Sequence, residues 1–219
     1  QKTPCVPIDK NQLTVAYTKD NRIKVNLVPG VMQHIPADIM RGEETQIAGF
    51  IKKNPSFNGV VCLPGTHTKW VNIEDGKIVN FKTFMTGELF GVISNNTLIR
   101  HSTSIEGWIQ DSFEKGVLKG FKNPGSIAAD LFSLRSESIV NNLDRDATRS
   151  LLSGLLLGVE LNGAQEYWKE QDVTIIGLEL LSNNYQKGIK LLGGNCHAFD
   201  LETATLEGLT SAYMELHSA

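Results

Sequence analysis

Two stretches carry residues whose types and spacing suit phosphoryl transfer. Met40-Arg41-Gly42-Glu43-Glu44-Thr45-Gln46 places two carboxylates and an arginine at the start of an apolar-periodic segment. Val60-Val61-Cys62-Leu63-Pro64-Gly65-Thr66-His67-Thr68-Lys69-Trp70 is an apolar run that ends in a Gly/Thr/Lys turn. A carboxylate can accept the proton of an attacking hydroxyl, and small turn residues let backbone N–H groups approach phosphate. Each signal has a plainer reading when taken alone. Acids in a first helical turn stabilise the helix dipole, Gly-Thr makes turns, Arg41 could form a surface ion pair of little worth, and Lys69 reads as a solvated strand residue. Joined in this order they suit one half of a phosphoryl-transfer site, in which backbone N–H groups and a threonine hydroxyl could hold phosphate. His67 could donate to phosphate or shape the turn. A third stretch, Met85-Thr86-Gly87-Glu88, reads either as a strand-to-helix turn or as contacts from Thr86 and Glu88 to a polyhydroxy substrate. The Walker pattern Gly-x-x-x-x-Gly-Lys-Ser/Thr does not occur.

The elements that must position these residues alternate between strand and helix, which means an α/β fold. Strands are expected at Leu13–Tyr17 and Ile23–Val28 across a turn at Lys19-Asp20-Asn21, with residues 1–12 as loop. A helix starts at Glu43 and Glu44 and buries Ile47, Phe50 and Ile51. Gly59–Leu63 reads as a buried strand. Lys69–Ile73 and Lys77–Phe81 form a hairpin about Glu74-Asp75-Gly76. Helices follow at 105–121, 127–140 and 145–169, the last with Leu151, Leu152, Leu155, Leu156 and Val159 on one stripe. Gly154, Gly158 and Gly163 inside it each cost roughly 1 kcal/mol against Ala, so close packing is the expected reason for them. A strand at Val173–Gly177, a helix at Asn183–Leu192, a short strand near Ala198 and a helix from Thr203 to Leu216 complete the chain.

Composition bounds the function. Apolar residues make up 41% and charged residues 21%, enough for a large core. The net charge of −3 and the absence of a basic block argue against nucleic acid. Cys5, Cys62 and Cys196 show no paired spacing, so neither disulfides nor zinc is expected and a reducing, cytoplasmic location fits. The five histidines (His34, His67, His101, His197 and His217) have no metal-ligand spacing. No apolar run reaches the length of a membrane span.

The three stretches together closely resemble the 2-dehydro-3-deoxygalactonokinase family, and Leu152-Ser153-Gly154-Leu155-Leu156-Leu157-Gly158-Val159-Glu160 looks like that family's long-helix motif. The resemblance runs from about residue 30 to the end. It implies ATP-dependent phosphorylation of the 6-hydroxyl of 2-dehydro-3-deoxygalactonate, and a ribonuclease-H-like, actin-like kinase fold of two domains flanking a cleft. Residues 1–50 would be the remainder of a sugar-binding domain and residues 51–219 a nucleotide-binding domain. By similarity, Gly42-Glu43 stands where the wider superfamily has Gly-Asp, whose acid is the base; Glu43 and Glu44 both remain candidates. Arg41 suits a substrate carboxylate. Gly65, Thr66 and Thr68 match a phosphate hairpin, and His67 or Lys69 could spread developing charge. Gly177, Ser182 and Asn183 fall where the adenosine motif lies. ATP and Mg²⁺ are implied, with the sugar acid as partner and a homodimer left open. Another sugar acid, or a sensor that binds without turnover, are the alternatives. The superfamily's first hairpin, Asp-x-Gly-Ser/Thr, does not occur, so an N-terminally incomplete first domain is expected, and these residues alone are expected to be an inactive fragment with little or no turnover.

Overall fold

The computed structural model describes residues 1–217. Its centre is a five-stranded sheet formed by β5 (Gly59–Leu63), β6 (Thr68–Glu74), β7 (Lys77–Phe84), β8 (Asp172–Ile176) and β9 (Asn195–Phe199). The strand order is β7-β6-β5-β8-β9. The pairs β7/β6 and β6/β5 are antiparallel, while β5/β8 and β8/β9 are parallel. Asp75 and Gly76 both take positive φ in the tight turn between β6 and β7, as an Asp-Gly hairpin requires.

Alternation along each strand divides the core between two faces. Val60, Cys62, Trp70, Val173 and Ile175 face α3 (Gln110–Lys122), α5 (Arg145–Gly163) and α7 (Glu179–Leu191), which contribute Phe113, Leu157, Leu161, Tyr185 and Ile189. Val61, Leu63, Val71, Ile73 and Ile176 face α1 (Glu43–Lys53) and α8 (Leu201–His217), which contribute Ile47, Phe50 and Ala204. A third cluster joins Ile93 of α2 (Thr86–Asn96), Ile99, Leu134 of α4 (Ile127–Val140) and Leu152, Leu155 and Leu156 of α5. The long helix is therefore buried on two sides rather than along the single expected stripe. Asp144 caps it, accepting from the N–H groups of Asp146 at 2.8 Å and Ala147 at 3.1 Å. Gly154 and Gly158 lie against the backbone of α3 at Phe113 and Val117, where an added Cβ would overlap carbonyl oxygens. Close packing is thus the reason for both glycines.

Several boundaries differ from expectation. The helix expected over 105–121 starts at Gln110, and the one expected over 145–169 ends at Gly163, followed by the single turn α6 (Gln165–Trp168). The first expected hairpin is present as β1 (Thr14–Ala16) paired with β2 (Val25–Leu27). A second hairpin, β3 (Val31–His34) with β4 (Ala37–Met40), was not expected. Its buried Gln33 obscures the apolar pattern, because the Gln33 side chain pairs with the backbone N–H and C=O of Phe81 at 3.1 and 3.2 Å. Asp38 does the same for Thr83, accepting from its N–H at 2.8 Å and its hydroxyl at 2.6 Å. These bonds hold β3 and β4 against β7. Val31, Met40, Ile47 and Phe50 share one core with the sheet, so α1 crosses the boundary expected at residue 50 without a break in packing. Among the described residues no helix is long and apolar enough to cross a membrane.

Candidate active site

The parallel pair β5 and β8 points its carboxyl ends to one edge of the sheet, where the two loops meet. Such an edge is where open α/β sheets place ligands. β4 delivers Arg41 and Gly42 to the same edge, and α1 starts there. Gly42 has φ 110°, with nothing near an added Cβ, so the backbone alone requires glycine. Both acids of the motif fold back on this turn. Glu43 accepts from the Arg41 N–H at 3.0 Å, and Glu44 from the Gly42 N–H at 2.6 Å.

Their surroundings then separate the two carboxylates. Glu43 lines a cavity of 340 Å³ with Arg41, Gly42, Gln46, Pro64, Gly65, Thr66 and His67. Glu44 is 1% exposed beneath it, and burial pushes its carboxyl up. The structure assigns Glu44 to holding the Gly42 turn and leaves Glu43 facing the cavity. Lys69, expected as a solvated strand residue, is 4% exposed. Its Nζ lies 3.5 Å from Glu43 Oε1 and donates to the His67 carbonyl at 3.5 Å.

The turn from Pro64 to His67 is braced from the far side by α2. The Glu88 N–H donates to the Thr66 carbonyl at 2.9 Å, and Gly87 packs so closely on Gly65 that a Cβ would overlap its carbonyl. His67 Nε2 and Glu88 Oε2 are in hydrogen-bond contact. Glu88 therefore supports the turn. It is not among the residues lining the Arg41 cavity, where a substrate-binding role would place it. Thr68 also departs from expectation. It is fully buried, and its hydroxyl is bonded to the Tyr185 hydroxyl at 2.7 Å, so it holds the turn from below instead of presenting a hydroxyl to phosphate.

A second, mainly apolar cavity of 350 Å³ begins at Gly65 and Thr86 and continues between Trp108, Leu156, Leu178 and Leu181, with Arg149 at its wall. Thr86 thus belongs to this cavity rather than to Arg41's. A third, of 410 Å³, is lined by Gly177, Leu178, Ser182 and Asn183 together with Asp200 and Glu202 at the start of α8. Ser182 is 4% exposed, and its hydroxyl has no hydrogen-bond partner among the described residues. Gly65 borders the first and second cavities, and Leu178 the second and third. The first two therefore adjoin the expected phosphate turn, and the third meets only the second.

A model of the 2-keto-3-deoxy-galactonokinase family matches residues 2–212. The chain belongs to the 2-keto-3-deoxy-galactonokinase family. Two curated relatives agree with this. The Rhizobium meliloti (strain 1021) protein named probable 2-dehydro-3-deoxygalactonokinase DgoK1 is 33% identical over 194 residues, covering 86% of this chain. The Escherichia coli (strain K12) 2-dehydro-3-deoxygalactonokinase is 33% identical over 175 residues, covering 80%. The chain spans 63% and 59% of the lengths of these relatives. A crystal structure from Sinorhizobium meliloti carrying the same enzyme designation as the Rhizobium protein superposes on the whole chain, and on 74% of its own, with TM-score 0.91 at 30% identity. The (R)-2-hydroxyglutaryl-CoA dehydratase component A of Acidaminococcus fermentans shares the fold alone, with TM-score 0.53 at 14% identity over 86% of this chain and 70% of that one. The family is the one that the motifs resemble.

Sequence reasoning passed over Gln46, Trp108 and Arg149. Gln46 was findable, because i+3 on a helix puts it on the same face as Glu43. Trp108 lies in the loop before α3 and Arg149 in the first turns of α5, neither in a quoted motif, and only packing brings them to the cavity.

Proposed function

We propose that this chain is the catalytic portion of an ATP-dependent sugar-acid kinase that phosphorylates the 6-hydroxyl of 2-dehydro-3-deoxygalactonate. One observation carries the reading: Gly65 borders both the cavity holding Arg41 and Glu43 and the apolar cavity beyond it. An acceptor in the first and a nucleotide base in the second would therefore meet at the Gly65–His67 turn, where phosphate belongs. The strand order, with an antiparallel β7-β6-β5 followed by parallel β8 and β9, supports the ribonuclease-H-like, actin-like assignment. Residues 1–50 are read as the acceptor side of a cleft.

In this mechanism Arg41 takes the acceptor's carboxylate with a two-pronged guanidinium bond. Glu43 accepts the hydroxyl proton as the oxygen attacks the terminal phosphorus. Lys69, 3.5 Å from Glu43, holds that carboxylate in place. Backbone N–H groups of the turn, with His67, carry charge developing on phosphate oxygens, so positioning and charge stabilisation do most of the work. Trp108, Leu178 and Leu181 offer the base an apolar slot, and the unpartnered Ser182 hydroxyl offers a donor nearby. A divalent ion would arrive with the phosphates and supply charge neutralisation there, as phosphoryl transfer generally requires.

ADP release with ATP·Mg²⁺ and 2-dehydro-3-deoxygalactonate tests this. Turnover that requires the sugar acid, and that falls with Glu43→Gln but not with Glu44→Gln beyond its effect on stability, is expected. Binding of both ligands without turnover by a chain extended to the relatives' full length would overturn the kinase reading in favour of a sensor.

A further inference from the structure

Beneath the turn lies a polar chain inside an otherwise apolar core. Glu160 of α5 is 1% exposed. Its Oε1 accepts from Trp70 Nε1 at 2.8 Å, and its Oε2 accepts from the Tyr185 hydroxyl at 2.8 Å. Tyr185 is bonded in turn to the Thr68 hydroxyl at 2.7 Å. The Thr86 hydroxyl also faces the carboxyl. One side chain thus ties β6, α2, α5 and α7 together at the floor of the site. A buried carboxyl is costly unless hydrogen-bonded. An apolar residue at position 160 would strand the Trp70 N–H, but a neutral Gln could accept that bond equally well, so satisfying Trp70 does not by itself require an acid.

The bond directions give it a role. A tryptophan N–H can only donate, and an ionised carboxyl can only accept. With Glu160 ionised, as it is above about pH 7, the Tyr185 proton is committed to Glu160, and Thr68 must donate to Tyr185. In that ionised state every rotor from Thr68 to Glu160 has one setting. Thr68 is the first residue of β6, immediately after the His67 end of the phosphate turn. We propose that Glu160 is a positioning residue: through Tyr185 and Thr68 it sets the geometry in which the Gly65–His67 turn receives phosphate. The inference rests on the nucleotide reading above and extends it to a residue that lines none of the three cavities. The titratable groups facing Glu160 are Tyr185 from α7 and Cys62 from β5. β6 presents the neutral Trp70 and α2 the neutral Thr86.

Two substitutions test it without emptying the core. Glu160→Gln keeps the shape but places an NH₂ where Oε2 accepts, which reverses the chain. Thr68→Val cuts the chain at its far end and leaves Glu160 untouched. Titration calorimetry with AMP-PNP·Mg²⁺ and, separately, with adenosine reads phosphate and base binding apart. Both variants should bind AMP-PNP about tenfold more weakly, one lost hydrogen bond's worth, while adenosine affinity stays within about twofold. Equal losses on both ligands, or no loss on AMP-PNP, would overturn the role and leave Glu160 as a structural group. Should Glu160→Gln fail to fold, Thr68→Val decides by the same comparison. Wild-type chain that binds neither ligand overturns the nucleotide reading itself, and this assignment with it.

Discussion

Lys69 Nζ and Glu43 Oε1 lie 3.5 Å apart, with the Lys69 side chain 5% exposed and the Glu43 side chain 23% exposed. A lysine this deep needs a counter-charge, and the only acid within ion-pair distance of it among the described residues faces the cavity. Removing either partner therefore has two effects. Glu43→Gln should lower turnover about 100-fold or more, in the range for loss of a general base. It should also destabilise the fold by about 1–3 kcal/mol, since Lys69 loses its partner. Steady-state kinetics and urea unfolding on one sample check both. A variant with near-normal turnover would remove Glu43 as base.

Arg41 lines the cavity read as the acceptor's and, among the described residues, makes no ion pair. Arg41→Lys keeps the charge and loses the planar fork. The KM for the sugar acid should rise about tenfold while that for ATP is unchanged. A rise in the ATP value instead would place Arg41 on the phosphates.

Burial raises the Glu160 carboxyl to about 7 from the ordinary 4.5. The folded state then holds a proton that the unfolded state releases between these values. Stability contributed by this group is full below pH 4.5 and declines as pH rises towards 7, by on the order of 3 kcal/mol in all. Wild type should lose stability relative to Glu160→Gln across that window. Comparing the two by thermal unfolding cancels other acids with lowered values, such as Asp200 and Glu207, which lose their contribution in the opposite direction as pH falls. Parallel curves for the two proteins would show that Glu160 does not titrate there.

Gly158 touches the backbone of α3 at Val117 and Phe121. Gly158→Val would force the two helices apart. A loss of about 3 kcal/mol is expected, the upper range for overpacking. Because α5 carries Glu160 and walls the apolar cavity, adenosine affinity should fall too. Unfolding curves and adenosine titration, compared with Gly125→Ala where an added Cβ meets open space, check this.

Ser153 lines the apolar cavity from α5. Ser153→Phe should fill it and weaken adenosine and AMP-PNP alike by at least about tenfold, with little change in stability. Unchanged adenosine binding would place the base elsewhere, with the Gly177 cavity the next candidate.

Local patterns carried much of this protein in its sequence. The Asp75-Gly76 hairpin, the buried run Val60–Leu63, the acids opening α1 and the long apolar α5 are readable because each follows from neighbours a few residues apart. The motifs also brought Arg41, Glu43, Gly65, Thr66 and His67 to one cavity, since β4 and β5 end at the same edge of the sheet. What could not be read locally were partners distant in the chain. Gln33 and Asp38 look like polar interruptions until β7 supplies Phe81 and Thr83. Glu43 and Glu44 are equivalent in sequence, and only the tilt of α1 against the sheet buries one and opens the other. Lys69 reads as exposed because its strand alternates, yet Glu43 comes from another element to meet it. Thr68 and Glu160 lie 92 positions apart. They are joined by Tyr185 because β6, α5 and α7 pack on one face of the sheet, and burial there is what turns three ordinary side chains into one hydrogen-bonded unit.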